Sequence, residues 1–144
     1  MSRFTVAAAA ISALTVLGAT VAFAGVIEDR QATMKSFAPA TKDAMGFKSG
    51  ATPFDAAKVK AVMKIYLDGA EKMTKEFPTP PKADEKTKAS PAIWTDAAGF
   101  KAALAAFKTD VTAASNATDQ ASFSAAFTKV TADCGSCHKA YRLP

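Results

Sequence analysis

Two thiols and one imidazole stand together near the C-terminus, in the stretch DCGSCHK at residues 133–139. Cys134 and Cys137 are the only cysteines of the 144-residue chain, and His138 is its only histidine. Thiols at this spacing could close a disulfide, exchange with another thiol, ligate a metal ion or bond a cofactor. The stretch is therefore where we look first for chemistry.

Three of the interpretations of this stretch have physical objections. A structural zinc site needs four ligands, whereas the chain offers three, two of them adjacent. A disulfide that closes so short a loop within a helix would strain the geometry of the bridge and would leave His138 unexplained. A thiol redox motif usually opens a helix next to a strand, and the sequence shows no strand pattern. They stay open as alternatives to a fourth interpretation, covalent haem.

The spacing Cys-x-x-Cys-His is the attachment signature of c-type haem. Cys134 and Cys137 would form thioethers with the two vinyl groups, and the spacing of three puts both sulfurs on one side of a helical turn. His138 would then reach the iron as the proximal axial ligand. With the only histidine bound to iron, a hydrolytic triad has no base, so we expect that the protein is not an enzyme.

The first 24 residues have the layout of a secretory signal peptide. A positive start (residues 1–3) precedes an apolar run (residues 6–23), and the run ends in the cleavage pattern AFA at residues 22–24. A membrane anchor is the alternative, because the run approaches spanning length. We expect cleavage before Gly25, a periplasmic location, and a haem domain over residues 25–144 without membrane insertion.

The charge of the chain is mildly basic. The formal net charge of +5 falls to +4 when Arg3 is removed with the signal peptide. This excess is too small to indicate nucleic-acid binding, but it is compatible with an acidic redox partner protein. Lys129, Lys139 and Arg142 surround the attachment motif and could steer such a partner, unless they are only a solvated face. The lysines of the connecting segment are assigned to solubility: Lys82, Lys86 and Lys88.

The chain after the signal peptide divides into four helical stretches, of which the first two are joined by a glycine-containing break. The first runs from about Ile27 to Met45 and contains Pro39, which predicts a kink or local unwinding. The second begins at Thr52, which we predict as its N-cap, and ends before Pro78. Apolar side chains recur at helical spacing in both stretches.

The last two stretches follow a charged, proline-rich connection of about a dozen residues. The third begins at Ser90 and continues to about Val111, and the fourth runs from about Asp119 to Tyr141. Their predicted core side chains are Phe100, Leu104, Phe107, Phe123 and Phe127. Four helices joined by short loops predict an all-α fold, an antiparallel (up-down-up-down) four-helix bundle.

An attachment motif at the end of the fourth helix resembles the cytochrome c′ family, the class II c-type cytochromes. The stretch RQATM at residues 30–34 resembles the first-helix motif of that family, in which an Arg-Gln pair precedes the distal residue that faces the haem. The stretch PAIW at residues 91–94 resembles the start of its third helix. The resemblance implies a monohaem cytochrome with covalent haem c and its iron, and homodimers occur among similar proteins.

The resemblance also implies roles for residues around the haem. Low-spin members, the cytochrome c-556 type, ligate the iron with a first-helix methionine and transfer electrons. Met34 holds that position, which implies a distal axial ligand and a soluble electron carrier that cycles between Fe2+ and Fe3+. The alternative is a high-spin member in which Met34 only screens an open site that binds nitric oxide or carbon monoxide. Arg30 and Gln31 would lie on the propionate side of the haem. Arg142 is a weaker candidate for a contact with the haem edge or a propionate.

Helix geometry favours Met34 over the other methionines as the distal ligand. In an antiparallel bundle the start of the first helix lies beside the end of the fourth, so Met34 and His138 come to the same end. Met45 shares the face of Met34 but lies about 16 Å further along the axis. Met63 and Met73 belong to the second helix, and spacing alone does not fix their depth.

Overall fold

The computed structural model describes residues 24–82 and 85–144, so the predicted signal peptide lies outside the described residues except for Ala24. Five helices form in order: α1 (Ala24–Ser49), α2 (Ala56–Met73), α3 (Ala92–Thr95), α4 (Ala97–Ser115) and α5 (Gln120–Tyr141). The four long ones, α1, α2, α4 and α5, pack as a bundle in the pairs α4–α5, α1–α2, α2–α4 and α1–α5. The predicted all-α four-helix bundle is confirmed. Within the described ranges, no helix has both the length and the hydropathy that a membrane span requires.

One hydrophobic core runs between the four long helices. All five predicted core side chains are buried, and Phe123 and Phe127 stack with their ring centroids 5.4 Å apart. Tyr66 is buried among them, with its ring centroid 6.2 Å from that of Phe127. Its hydroxyl and that of Thr41 lie 2.6 Å apart in a hydrogen bond. The core therefore buries this phenol without leaving its polar atom unpaired.

The second helix begins later than the sequence suggests. Its N-cap is Asp55, whose carboxylate accepts hydrogen bonds from the backbone N–H of Ala57 at 2.9 Å and of Lys58 at 3.0 Å. Thr52, the predicted cap, lies outside the helix. A carboxylate at this place meets both the free N–H groups and the positive end of the helix dipole, which a threonine hydroxyl does less well.

The first helix is longer than predicted and passes through Pro39 without interruption, so the predicted local unwinding does not occur. It ends at Ser49, before Gly50. Gly50 has φ 78°, in the left-handed region that glycine enters at no steric cost.

The third predicted helix is in fact two helices divided at Asp96. This residue has φ −121° and ψ 54°, ends the single turn α3 and caps α4. Its carboxylate accepts hydrogen bonds from the Gly99 N–H at 3.1 Å and from the Tyr141 hydroxyl at 2.9 Å. The break thus ties the start of α4 to the end of α5, the helix that carries the attachment motif.

Candidate functional site

A pocket of about 650 Å³ lies between the early part of α1 and the ends of α2 and α5. It is lined by six of the seven predicted site residues: Arg30, Gln31, Met34, Cys137, His138 and Arg142. The first three come from α1, and the last three come from the C-terminal end of the chain. The antiparallel arrangement of α1 and α5 is what brings two stretches about a hundred residues apart to one place.

The seventh residue, Cys134, packs against the hydrophobic core. Three residues along a helix are separated by about 4.5 Å along the axis and about 60° around it, so Cys134 faces further into the bundle than Cys137. Both thiols are free and half-buried. Burial raises the pKa of both, with Asp133 adding to the effect at Cys134. Neither thiol has the lowered pKa of a redox-active cysteine.

The imidazole of His138 lies on the pocket wall and is exposed to solvent. Partial burial lowers its pKa, and the charge of Arg142 lowers the pKa further. Both influences favour the neutral imidazole, which has the free electron pair that a metal ion needs. Arg142 in turn donates its backbone N–H to the His138 carbonyl at 3.2 Å at the end of α5.

Arg30 is buried in the wall of the pocket, with 8% of its surface exposed. Its Nε donates to the Val26 carbonyl at 3.2 Å, and its guanidinium carbon lies 4.8 Å from the centroid of the Phe77 ring. Its Nη1 is buried and has no hydrogen-bond partner. A fixed guanidinium with a free N–H at a pocket wall is suited to an anionic group such as a carboxylate.

Two methionine sulfurs belong to the pocket, whereas the sequence argument singled out one. Met34 is 37% exposed and Met73 is 7% exposed, and both line the pocket. Met63 is fully buried in the core, and Met45 is an exposed residue further along α1. Met34 therefore shares a pocket with His138 as expected, and Met73 is a second sulfur whose depth the sequence left undetermined.

Segment 85–90, which we call the strap, forms part of the pocket wall and was missed by the sequence analysis. The Ser90 N–H donates to the Tyr141 carbonyl at 3.0 Å, and the Leu143 N–H donates to the Lys88 carbonyl at 2.8 Å. These bonds hold the strap against the C-terminal residues and place Lys86 and Lys88 at the pocket. Such pairing between distant segments has no local signal in a charged, proline-rich stretch.

The residues present fit a haem. The pocket wall is mostly apolar, with side chains that include Ile27, Phe77, Ile93 and Phe100. Cys137 and the neutral imidazole of His138 lie on the α5 side, and a thioether lies on the α1 side. The free Nη1 of Arg30 offers a donor to a carboxylate of the kind that haem carries. An apolar pocket with a few convergent polar groups is the usual form of a cofactor site.

Known proteins resemble this chain along most of its length. A family model described as cytochrome C' matches residues 25–142. The cytochrome c-556 of Agrobacterium fabrum is 36% identical over 145 residues, which cover 99% of this chain and 97% of that protein. The structure of cytochrome c' from Rhodopseudomonas palustris superposes with a TM-score of 0.74 at 33% identity, covering 83% of this chain and 96% of that one. A nitric oxide complex of a mutant cytochrome c prime from Alcaligenes xylosoxidans superposes with a TM-score of 0.71 at 30% identity, covering 83% and 94%.

Proposed function

This chain belongs to the cytochrome c′ family, and on that premise we propose that it is a periplasmic electron carrier of the methionine-ligated cytochrome c-556 type. It is a class II c-type cytochrome with a single attachment motif for covalent haem c. The bound haem iron supplies one-electron exchange between Fe2+ and Fe3+. The observation that carries the proposal is that Met34 and His138 line one pocket from two different helices.

Each site residue has a role in this proposal. Cys134 and Cys137 hold the porphyrin through thioethers, His138 is the proximal ligand and Met34 is the distal ligand. A soft thioether favours ferrous iron and raises the reduction potential relative to a second histidine. With both axial positions filled by the protein, electron exchange needs little rearrangement. Arg30, Gln31 and, more weakly, Arg142 would bind the propionates.

Gas binding at an open distal site is the second candidate function. Met34 is 37% exposed, so its sulfur is not locked in place by packing. The similar cytochrome c prime from Alcaligenes xylosoxidans has been solved as a nitric oxide complex. If Met34 only screens the iron here, the same pocket would take up nitric oxide or carbon monoxide.

Visible spectra of the purified holoprotein, oxidised and reduced, separate the two functions. We expect sharp, split bands on reduction, the weak long-wavelength band of sulfur on ferric haem, and little response to carbon monoxide. A broad reduced band that shifts when carbon monoxide is added would contradict the electron-carrier proposal and favour gas binding.

Two methionine variants in α1 test whether Met34 is the distal ligand of the iron. Met34→Leu keeps the apolar volume but removes the sulfur, so we expect the reduced bands to broaden and carbon monoxide to bind. Met45→Leu is the matched control, because Met45 is exposed on the same helix away from the pocket, and it should leave the spectrum unchanged. If Met34→Leu kept the low-spin spectrum, Met34 would not be the ligand, and Met73 would be the next sulfur to replace.

The mass of the denatured chain tests both the attachment and the signal peptide. We expect the exported protein to begin at Gly25 and to carry the mass of one haem, which a haemless bundle closed by a disulfide would lack. Cys137→Ala should lose nearly all covalent haem. If it kept a full complement of covalent haem, the attachment role of Cys137 would be wrong.

The charges around the pocket support an acidic redox partner. Five cationic side chains line it: the buried Arg30, together with Lys35, Lys86, Lys88 and Arg142. Among the described residues, the salt bridges involve other cations, and Lys88 Nζ donates a hydrogen bond to the Pro144 backbone oxygen at 2.7 Å. A partner with a negative surface would be drawn to the side of the protein where the haem is accessible.

A further inference from the structure

The described part of the chain buries three polar or charged residues, and all three belong to one cluster beside the pocket. Arg30 is 8% exposed, Thr33 is 5% exposed and Glu76 is 8% exposed. Taking a carboxylate and a guanidinium out of water is costly unless they compensate each other. A bundle of this size does not need buried charges to fold, so the burial of Arg30 and Glu76 needs an explanation.

Glu76 is buried and lies close in the chain to residues of the pocket wall. Its Oε1 accepts a hydrogen bond from the Thr33 hydroxyl at 2.8 Å, across the contact between α1 and the chain just after α2. Its Oε2 is buried without a hydrogen-bond partner. Its near neighbours along the chain, Met73 and Phe77, both line the pocket. The carboxylate is thus held by α1 and belongs to the same stretch of chain as two apolar residues of the pocket wall.

The charge of Glu76 acts on Arg30. Burial lowers the pKa of Arg30, and the negative charge of Glu76 is the main influence that opposes this. No salt bridge joins the two within the described residues, so the attraction acts through space and leaves Nη1 of Arg30 free. The Phe77 ring lies under the guanidinium, and Phe77 follows Glu76 in the chain. The backbone at Glu76 therefore also positions the ring on which Arg30 stacks.

We propose that Glu76 is a positioning residue and internal counter-charge: it holds the Arg30 guanidinium at the pocket and keeps the reduction potential of the haem low. The proposal rests on the proposed function in one respect, that haem occupies this pocket, and it applies to an electron carrier and to a gas binder alike. A negative charge near the iron favours the ferric form, which carries one more positive charge. Removing it would also leave the charge of Arg30 balanced only by the weaker influence of Glu85, and both changes favour the ferrous form.

The test is the midpoint potential of the intact holoprotein and of two matched variants. Glu76→Gln should raise the ferrous-to-ferric ratio at a fixed potential about tenfold, which is about 59 mV for one electron. Glu71→Gln is the control, because it removes one negative charge from an exposed position on α2. Glu71 pairs with Lys108 at 2.9 Å and is screened by solvent, so the ferrous-to-ferric ratio should change less than about twofold. Glu76→Asp keeps the buried charge and should also stay below about twofold.

The outcomes separate a positioning role from a merely structural one. A structural role would lower the stability of Glu76→Gln without moving the potential more than Glu71→Gln does, and that result would overturn the proposal. If Glu76→Gln is obtained in low yield, Glu76→Met removes both the charge and the unpartnered Oε2, at the cost of the hydrogen bond from Thr33, and should give the same upward shift of the potential. Failure of the electron-carrier proposal would appear instead in the carbon monoxide response of the parent protein, which Glu76 does not decide.

Discussion

A single glycine lets α1 and α2 approach closely enough to share the pocket wall. Gly69 is buried, and a Cβ at this position would meet the ring of Phe37. That ring packs on Tyr66, with the centroids 5.0 Å apart, so it has little room to move. The short distance between the helices that carry Met34 and Met73 therefore depends on the absence of one methyl group.

We predict that Gly69→Ala destabilises the holoprotein by about 1–3 kcal/mol, because overpacking outweighs the better helix propensity of alanine. Chemical denaturation followed by far-UV circular dichroism measures this. Gly135→Ala is the control, since a Cβ there meets nothing within 4 Å. It should stabilise α5 by about 0.5–1 kcal/mol. Equal effects of the two variants would mean that Phe37 can move aside.

At the level of single residues, the sequence predicted what is local and missed what is not. Cys134, Cys137 and His138 lie within one turn of helix and form a recognisable motif. Met34 could be chosen only once the helix directions were known. Glu76 gave no signal, because a glutamate near a helix end is normally solvated, and its burial comes from the packing of another helix against it.

At the level of elements, the N-cap of α5 makes a pH-dependent contribution to stability. The Asp119 carboxylate caps α5 by accepting the Ser122 N–H at 2.8 Å, and the Ser122 hydroxyl accepts the Asp119 N–H at 3.3 Å in return. The backbone bond, followed by the side-chain bond, lowers the pKa of the Asp119 carboxyl in the folded protein. Its contribution to stability is therefore present above the unfolded pKa of about 4 and is lost as the pH falls through the folded value.

We predict that Asp119→Asn is less stable than the parent at pH 7, and that the difference closes as the pH falls below about 4. Asparagine can still cap the helix, so the difference reports the charge and not the cap itself. Denaturation midpoints measured from pH 7 to pH 2 provide the check. A difference that stayed constant with pH would show that the charge has no part in it.

The packing of α4 on α5 contains an unfavourable pair of carboxyl groups. Burial raises the pKa of Asp133, and the charge of Asp110 raises it further. Its Oδ2 is buried without a hydrogen-bond partner. A carboxyl whose pKa is raised on folding costs stability at pH values above the folded pKa, and this cost disappears below the unfolded pKa of about 4.

We predict that Asp110→Asn raises the denaturation midpoint at pH 7 and has no effect at about pH 3, where the Asp133 carboxyl is neutral. Asp68→Asn serves as a comparison, because that exposed carboxylate pairs with Lys64 at 2.7 Å and should not gain stability when neutralised. A loss of stability in Asp110→Asn at pH 7 would contradict the prediction.

Element boundaries show where sequence reasoning reaches its limit. The periodic apolar positions identified all four long helices, because burial on one face follows directly from helix geometry. The break at Asp96 was missed, and one of the two hydrogen bonds to its carboxylate comes from Tyr141, whose proximity is a result of tertiary packing. The start of α2 was placed three residues too early, because Thr52 and Asp55 are both good N-cap residues and only packing chooses between them.

At the scale of the whole molecule, the cations around the pocket give it a positively charged side. We predict that Lys86→Glu slows the reduction of the ferric protein by an anionic reductant such as ascorbate by about threefold at low salt, and less at high salt. Lys60→Glu changes the net charge equally at an exposed position on α2 and should have a smaller effect. Equal slowing by the two variants would mean that only the net charge matters.

The bridge between Ala89 and Arg142 implies an order of events in the life of the protein. The strap and the C-terminal tail close one wall of the pocket through a few backbone hydrogen bonds, and the two cysteines of the attachment motif belong to the helix just before that tail. If these thiols bond the haem as proposed, haem enters while the two segments are apart. We therefore expect the pairing of the strap with residues 141–143 to form last, over a finished cofactor site.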